Sequence, residues 1–292
     1  MTEVFTLGEA LGVVSADRIR HDMTARLDVE GAELTVAVGL ARLGHPVTWL
    51  GRVSVDELGV RTLTVLRGEG VDVSYVRIDE TAPTGIVIRQ RRIGRLSHAV
   101  HYREGSAGSR LSTGDVPAEA IQSARILHVT GITPALSGYA WSAVHHAVKL
   151  ARDAGVLVSV DVNHRPHLWE SVEEARQALS ELAVSADILF ATQDELQLVD
   201  AALAGIPELV VTRGAKGASA TVDGLRYDTQ AAPVTALDPT GVGGAFVAGY
   251  LSALLDGLHP ADRLKRGISL AAFAVASPSS WQGLPTRAEL PP

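Results

Sequence analysis

Asp238-Pro239-Thr240-Gly241-Val242-Gly243-Gly244-Ala245-Phe246 is a run of small residues that passes straight into an apolar helical stretch reaching residue 255. Without side chains, glycines let a backbone come close to an anion. The first amides of a helix lack internal partners and sit at the positive end of its dipole, so this loop reads as a cradle for phosphate oxygens. Phosphoryl transfer at such a cradle ordinarily needs a carboxylate to accept the proton of the attacking hydroxyl. The position where that carboxylate is expected is Gly244.

Outward from the loop, short β-branched runs alternate with longer helical ones. Residues 4–7, 47–50, 126–129, 157–160, 188–190 and 209–211 are nearly continuous in apolar character, as buried parallel strands are. Between them, residues 32–43, 139–154, 172–183 and 194–202 carry helical periodicity. This alternation predicts an α/β fold, a doubly wound, mostly parallel sheet flanked by helices, within a single domain over residues 1–292. Asp223-Gly224 between residues 218–222 and 225–228 predicts a hairpin. Residues 241–255 and 260–276 close the chain as two helices. Segments 11–30 and 84–104 break the alternation, with strand-like residues 85–89 and 99–102, and predict a small β lid over the ligand crevice.

Composition narrows the classes. With 46% hydrophobic and 20% charged residues the chain is an ordinary globular sequence, and a net charge of −7 argues against a general nucleic-acid binder. No apolar stretch reaches the roughly 20 residues of a membrane span. The start, Met1-Thr2-Glu3-Val4-Phe5, lacks a basic region followed by an apolar one, so a cytoplasmic location is expected. The absence of cysteine excludes disulfides and thiolate metal sites. Arg89, Arg91, Arg92, Arg95 and Arg103 fall close together, either as a solvated hairpin or as a positive rim that attracts a small anion.

An ordered set of motifs accompanies the loop. It comprises Gly31-Ala32-Glu33, Ala41-Arg42-Leu43-Gly44, Gly51-Arg52-Val53, Tyr102-Arg103-Glu104-Gly105-Ser106, Asp161-Val162-Asn163-His164-Arg165 and Thr212-Arg213-Gly214-Ala215-Lys216-Gly217. Together with the 238–246 loop these resemble the ribokinase-like (PfkB) carbohydrate kinases, with greatest likeness to the 2-keto-3-deoxygluconate kinase branch. The resemblance implies ATP with Mg²⁺, and possible K⁺, as cofactors and a sugar acid or polyol as substrate. It gives Gly241, Val242 and Gly243 as anion-hole amides, with Gly244 at the place of the catalytic aspartate. Thr212, Gly214 and Gly217 are implied to receive the nucleotide phosphates, and Glu195 to organise magnesium through water. Asp238 and Thr240 match a monovalent-cation site. Arg103 and Arg165 match the guanidiniums that grip the acceptor carboxylate, with Gly31, Thr35 and His101 beside them; a planar fork suits a carboxylate. Lid strands with exposed edges suggest a homo-oligomer.

Departures from that pattern gather on the acceptor side. Beyond Gly244, Thr35 replaces an asparagine, Glu30 replaces the first glycine of a Gly-Gly pair, and Thr192 replaces the asparagine of Asn-x-x-Glu. Val87 and His101 stand where tyrosines face the sugar acid. Loss of a general base costs about 10²- to 10⁴-fold in rate, so two readings stand: a kinase with a weakened or relocated base, for which Glu30 is a candidate, or a silent homologue that binds nucleotide or sugar acid. His101, His145, His146 and His164 show no metal-binding spacing. A dinucleotide fingerprint fails because Phe246 sits at its third glycine, and no Walker-type lysine loop occurs.

Overall fold

Continuous β-branched runs are buried on both faces only when helices cover both sides of a sheet, and the chain solves that requirement in the way its pattern predicts. The computed structural model describes the backbone of residues 2–92 and 95–290, and the side chains of all of these except 91, 92, 95–97 and 201. In chain order the strands are β1 (Val4–Leu7), β2 (Leu11–Ala16), β3 (Arg26–Glu30), β4 (Val47–Leu50), β5 (Arg52–Ser54), β6 (Arg77–Asp79) and β7 (Gly85–Arg92). They continue as β8 (Arg95–Tyr102), β9 (Ile126–Thr130), β10 (Leu157–Asp161), β11 (Ile188–Thr192), β12 (Glu208–Thr212), β13 (Ala218–Val222) and β14 (Leu225–Thr229). The α-helices are α1 (Ala32–Arg42), α2 (Glu57–Gly68), α3 (Ala118–Gln122), α4 (Gly138–Asp153), α5 (Val172–Ala183), α6 (Val242–Leu255) and α7 (Pro260–Val275).

Among the described residues an eight-stranded sheet runs β14-β13-β12-β11-β10-β9-β1-β4. Six of its strands are parallel, and β13 and β14 add the expected antiparallel hairpin at one edge. The chain leaves β1 towards β4 on one side and returns as β9 on the other. Strand order therefore reverses at β1, and a crevice opens at the carboxyl ends there, where ligands of such sheets bind.

Side chains alternate between two cores. Val4, Trp49, Phe190 and Val210 face the layer of α1, α6 and α7, while Phe5, Leu127, Val158 and Leu189 face that of α4 and α5. Helix α4 turns Ala140, Ala143, Val144, Ala147, Val148 and Ala151 inward at helical spacing. Helix α6 differs: residues 244–253 are all buried, since α1, α7 and the sheet surround it. Phe246 and Tyr250 pack edge-on to Phe190, with ring centroids 6.4 and 5.4 Å away. Burial of each such ring contributes about 1.5–3 kcal/mol, which fixes the start of α6 at the sheet edge.

The two lid segments form a separate four-stranded sheet, β3-β2-β7-β8, with β2 and β7 parallel. The expected strands 85–89 and 99–102 are parts of the longer hairpin β7–β8. The side chains of Arg91, Arg92 and Arg95 lie outside the described residues. One expectation is corrected: residues 194–202 do not form a regular helix but two short 3₁₀ turns, Glu195–Leu198 and Asp200–Ala202. Glu195 is drawn into backbone contacts with neighbouring loops, described below, and Gly205 and Pro207 stop any extension. Among the described residues no helix is long and apolar enough to cross a membrane.

Candidate active site

The crevice is a cavity of about 450 Å³ between the carboxyl edge of the main sheet, the first turns of α1 and α6, and the lid. Its wall at the start of α6 begins with Asp238, whose Oδ1 accepts the Thr240 amide at 2.9 Å and shapes the turn. Gly241 caps α6 with φ of +79°, a conformation that favours glycine. A Cβ there would lie 2.2 Å from the carbonyl oxygen of Ser280. Ala245 closes the first helical bond, back to Gly241 at 2.9 Å. The Gly243 and Gly244 amides take no hydrogen bond among the described residues, and both glycines line the cavity. Two free amides at the positive end of a 14-residue helix fit a phosphate group.

The Asp238 Oδ2 atom is buried without a partner, which suits a cation beneath the loop. Glu195 is fully used by the backbone: one oxygen accepts the His164 amide and the other the Thr192 amide, each at 2.7 Å. With both oxygens engaged it would add little to a bound magnesium directly, and a nucleotide's phosphates would supply most of the metal's ligands. Among the described residues no group of three or more His, Asp or Glu gathers to hold a metal ion.

The wall beneath the lid carries more charge. Arg103 pairs with the nearly inaccessible Glu9, which also accepts from Ser106 at 3.1 Å. Arg89 of β7 pairs with Glu30 of β3 at 2.6 Å. Burial pushes both glutamates above the usual carboxylate range, against the pull of their arginines. Glu33 is buried and accepts the Thr130 and Thr133 hydroxyls at 2.8 Å each. Arg165 is exposed at the rim, with its nearest acceptor, the His164 carbonyl, at 3.5 Å. His101 of the lid stacks on His167 with centroids 5.1 Å apart. Burial, then the positive charges of Arg103 and its neighbours, push His101 down to about 4 and keep it neutral.

Gly244 sits against the first turn of α1. A Cβ placed on it would come 3.2 Å from the Ala32 carbonyl oxygen and from Cβ and Cγ2 of Thr35. Thr35 is itself fixed, donating to the Gly31 carbonyl at 2.9 Å. The position where a carboxylate was expected is thus closely bordered by Thr35, where an asparagine was expected.

Most residues expected to share a site do so. Gly31, Thr35, His101, Arg103, Arg165, Glu195, Thr212, Thr240, Gly241, Gly243 and Gly244 line the one cavity. Val242 and Asp238 lie in the same turn behind its wall, and Gly214 and Gly217 form the turn after β12, outside the lining. Val87, directly opposite His101 on the same face of the lid sheet, is wholly buried beside Leu11 and Val13 and is not part of the cavity lining. Glu9, Glu33, Arg89, Asp161, Asn163 and His167 line the cavity too. Asp161 is pushed up by burial and then by Glu195, and Asn163 beside it has φ of +40°. The pairing of Asp161 with Asn163 two residues on was the signal available for those two.

Comparisons with known proteins agree with this architecture. The family model described as pfkB family carbohydrate kinase matches residues 1–287. The 2-dehydro-3-deoxygluconokinase of Bacillus subtilis is 34% identical across 99% of this chain and 94% of its own length. The enzyme of the same name from Thermoproteus tenax is 36% identical, covering 99% and 93%. The crystal structure of a PfkB protein from Polaromonas sp. JS666 superposes with a TM-score of 0.90 at 35% identity, covering 99% of each chain. A phosphate-ready helix start at the switch point of a doubly wound sheet, under a four-stranded lid, accounts for that likeness: this chain belongs to the pfkB family of carbohydrate kinases, phosphotransferases with an alcohol acceptor.

Proposed function

We propose that this chain transfers the γ-phosphoryl group of ATP to a hydroxyl of a small sugar acid, or a related sugar or polyol, in the manner of 2-keto-3-deoxygluconate kinase. The observation that carries the reading is the pair of free amides at Gly243 and Gly244, opening onto a cavity rimmed on its far side by Arg165. Bound ATP supplies the phosphoryl group, and Mg²⁺ offsets the charge on its phosphates. The amides hold the transferring group, Thr212 borders the nucleotide, and Arg165 with Arg103 orients the acceptor's carboxylate. The lid excludes water, which strengthens each of these interactions. Asp238, with Thr240, would seat a monovalent cation that fixes the loop. The same reading takes residues 1–292 as one domain acting in the cytoplasm. Its lid edge β8, where Val100 and Tyr102 are exposed, is the surface through which two copies would pair.

A second reading rests on Gly244 and its close border with Thr35: a silent homologue that binds nucleotide or sugar acid without transfer. Incubating the protein with Mg·ATP and a panel of sugar acids and polyols, and measuring ADP and phosphorylated product, separates the two. Acceptor-dependent product supports the kinase. Nucleotide and sugar-acid binding by calorimetry with no product from any acceptor supports the silent homologue.

A further inference from the structure

Five carboxylates line the cavity, and their environments are unequal. Glu9 is held at both oxygens, by Arg103 and by Ser106. Glu33 is buried under two threonine hydroxyls, and Glu195 caps two backbone amides. Asp161 accepts from Asn163 at 3.0 Å in a fully buried corner. Glu30, Glu33 and Asp161 each keep one oxygen without a hydrogen bond from the described residues, and Glu30, whose Oε2 takes Arg89 and whose Oε1 takes nothing, is the least buried of the three. Its position is equally particular. Gly31, the next residue, caps α1, and the first turn of that helix is what borders Gly244. Against the pattern that the resemblance implies, a carboxylate is missing on one side of this corner and an additional one stands on the other.

We infer that Glu30 is the general base of this chain, standing in for the aspartate absent at position 244, and that Arg89 is its positioning residue. The inference rests on the kinase reading above. In the step, the acceptor hydroxyl gives its proton to Glu30 Oε1, and its oxygen forms the bond to the γ-phosphorus of ATP. The bond between that phosphorus and the β,γ-bridging oxygen breaks, its electron pair leaving with ADP, and Glu30 later returns the proton to water. Arg89, Arg103, Glu9 and Asp238 are the charged groups that act on this carboxylate. Burial lifts it above the ordinary glutamate range while Arg89 keeps it from rising further. A base with a somewhat raised pKa is better matched to proton abstraction near neutrality.

The test compares the unaltered chain with Glu30→Gln, Glu30→Ala, Glu30→Asp and Arg89→Met. Glu30→Gln is expected to lower kcat by about 10²-fold or more, with ATP affinity by calorimetry within threefold of the unaltered chain. Arg89→Met is expected to move the acid limb of the kcat–pH profile to higher pH. Difference infrared spectroscopy of the nucleotide-free protein against Glu30→Gln is expected to find the Glu30 carboxyl titrating above the ordinary glutamate range. Should Glu30→Gln not fold, Glu30→Ala, which also removes the carboxylate, carries the same comparison, while Glu30→Asp is expected to keep more activity than either. A kcat within threefold of the unaltered chain in a folded Glu30→Gln protein overturns the assignment and leaves the kinase reading standing. No transfer by the unaltered chain to any acceptor overturns both.

Discussion

The two walls of the cavity are built from different materials. The wall at the start of α6, proposed to hold the nucleotide, is main chain: Asp238 turns the loop, Gly241 caps α6, and the Gly243 and Gly244 amides open onto the cavity. The wall beneath the lid, proposed to hold the acceptor, is side chain: Glu30 with Arg89, Glu9 with Arg103, Thr35, and the His101–His167 stack. Amides survive substitution of neighbouring residues as long as the turn keeps its shape, whereas a side-chain wall changes with every replacement. Of the departures that the resemblance implies, Glu30, Thr35, Gly244 and His101 fall on the second wall or at the border between the two, and Thr192 lies beside Glu195. The contrast teaches that phosphate binding and acceptor choice can diverge separately within one fold.

The largest effect should come from breaking the main-chain wall. Gly241→Ala forces a Cβ to 2.2 Å from the Ser280 carbonyl oxygen at a φ of +79°. Strain of about 1–3 kcal/mol and displaced amides, worth about 10²–10³-fold in turnover, should follow. Calorimetric titration with Mg·ATP checks the binding, and urea denaturation the strain. Arg165→Met should leave nucleotide binding intact and weaken sugar-acid binding roughly tenfold, the low end for a charged hydrogen bond at an exposed site. Calorimetry with the acid and with its neutral alcohol analogue separates a charge effect from lost packing.

Gly244→Asp sharpens the border between the walls. Its Cβ meets Thr35 and the Ala32 carbonyl at 3.2 Å, so it should cost about 1–3 kcal/mol of stability by overpacking. It should change turnover by less than about tenfold, since by this account the chain already has a base. Thr35→Ala in the same protein should return part of the stability, as read by urea midpoints. A gain of 10²-fold or more from Gly244→Asp alone would show instead that the acceptor wall still awaits its aspartate.

The smallest effect is a pH slope. His101 has a folded-state pKa of about 4, below its unfolded value of about 6.5. The unfolded chain therefore binds the extra proton first, so the contribution of His101 is fully present above about pH 6.5 and declines as pH falls towards 4. His101→Gln should flatten the slope by less than about 1.4 kcal/mol per pH unit, because the ring is only half-buried. Buried His128, pushed down to about 3, gives a slope of the same sign in both proteins and so cancels in the comparison. Urea midpoints at pH 7 and 4.5 provide the measurement.

Much of the fold was legible because burial on both faces leaves continuous β-branched runs, and because helices such as α4 keep one apolar stripe. The strand-like character of 11–30 and 84–104 likewise marked the lid. Residues 194–202 misled because their apolar spacing is helical, while their conformation is set by Glu195 reaching the His164 amide thirty-one residues away. The main-chain wall was readable from its glycines, since composition alone dictates what a backbone can approach. The pairs Glu30–Arg89 and Glu9–Arg103 were not, being separated by 59 and 94 residues and joined only when the lid folds over. Val87 shares the sheet face of His101 and Arg89, but it packs with Leu11 and Val13 and stops short of the cavity lining, which its place in the strand could not reveal.

The most direct measurement is a crystal structure of the chain with Mg²⁺ and a non-hydrolysable ATP analogue. The terminal phosphate should accept hydrogen bonds from the Gly243 and Gly244 amides at about 2.7–3.2 Å. A nucleotide bound with its terminal phosphate elsewhere, and those two amides left to water, would contradict the account.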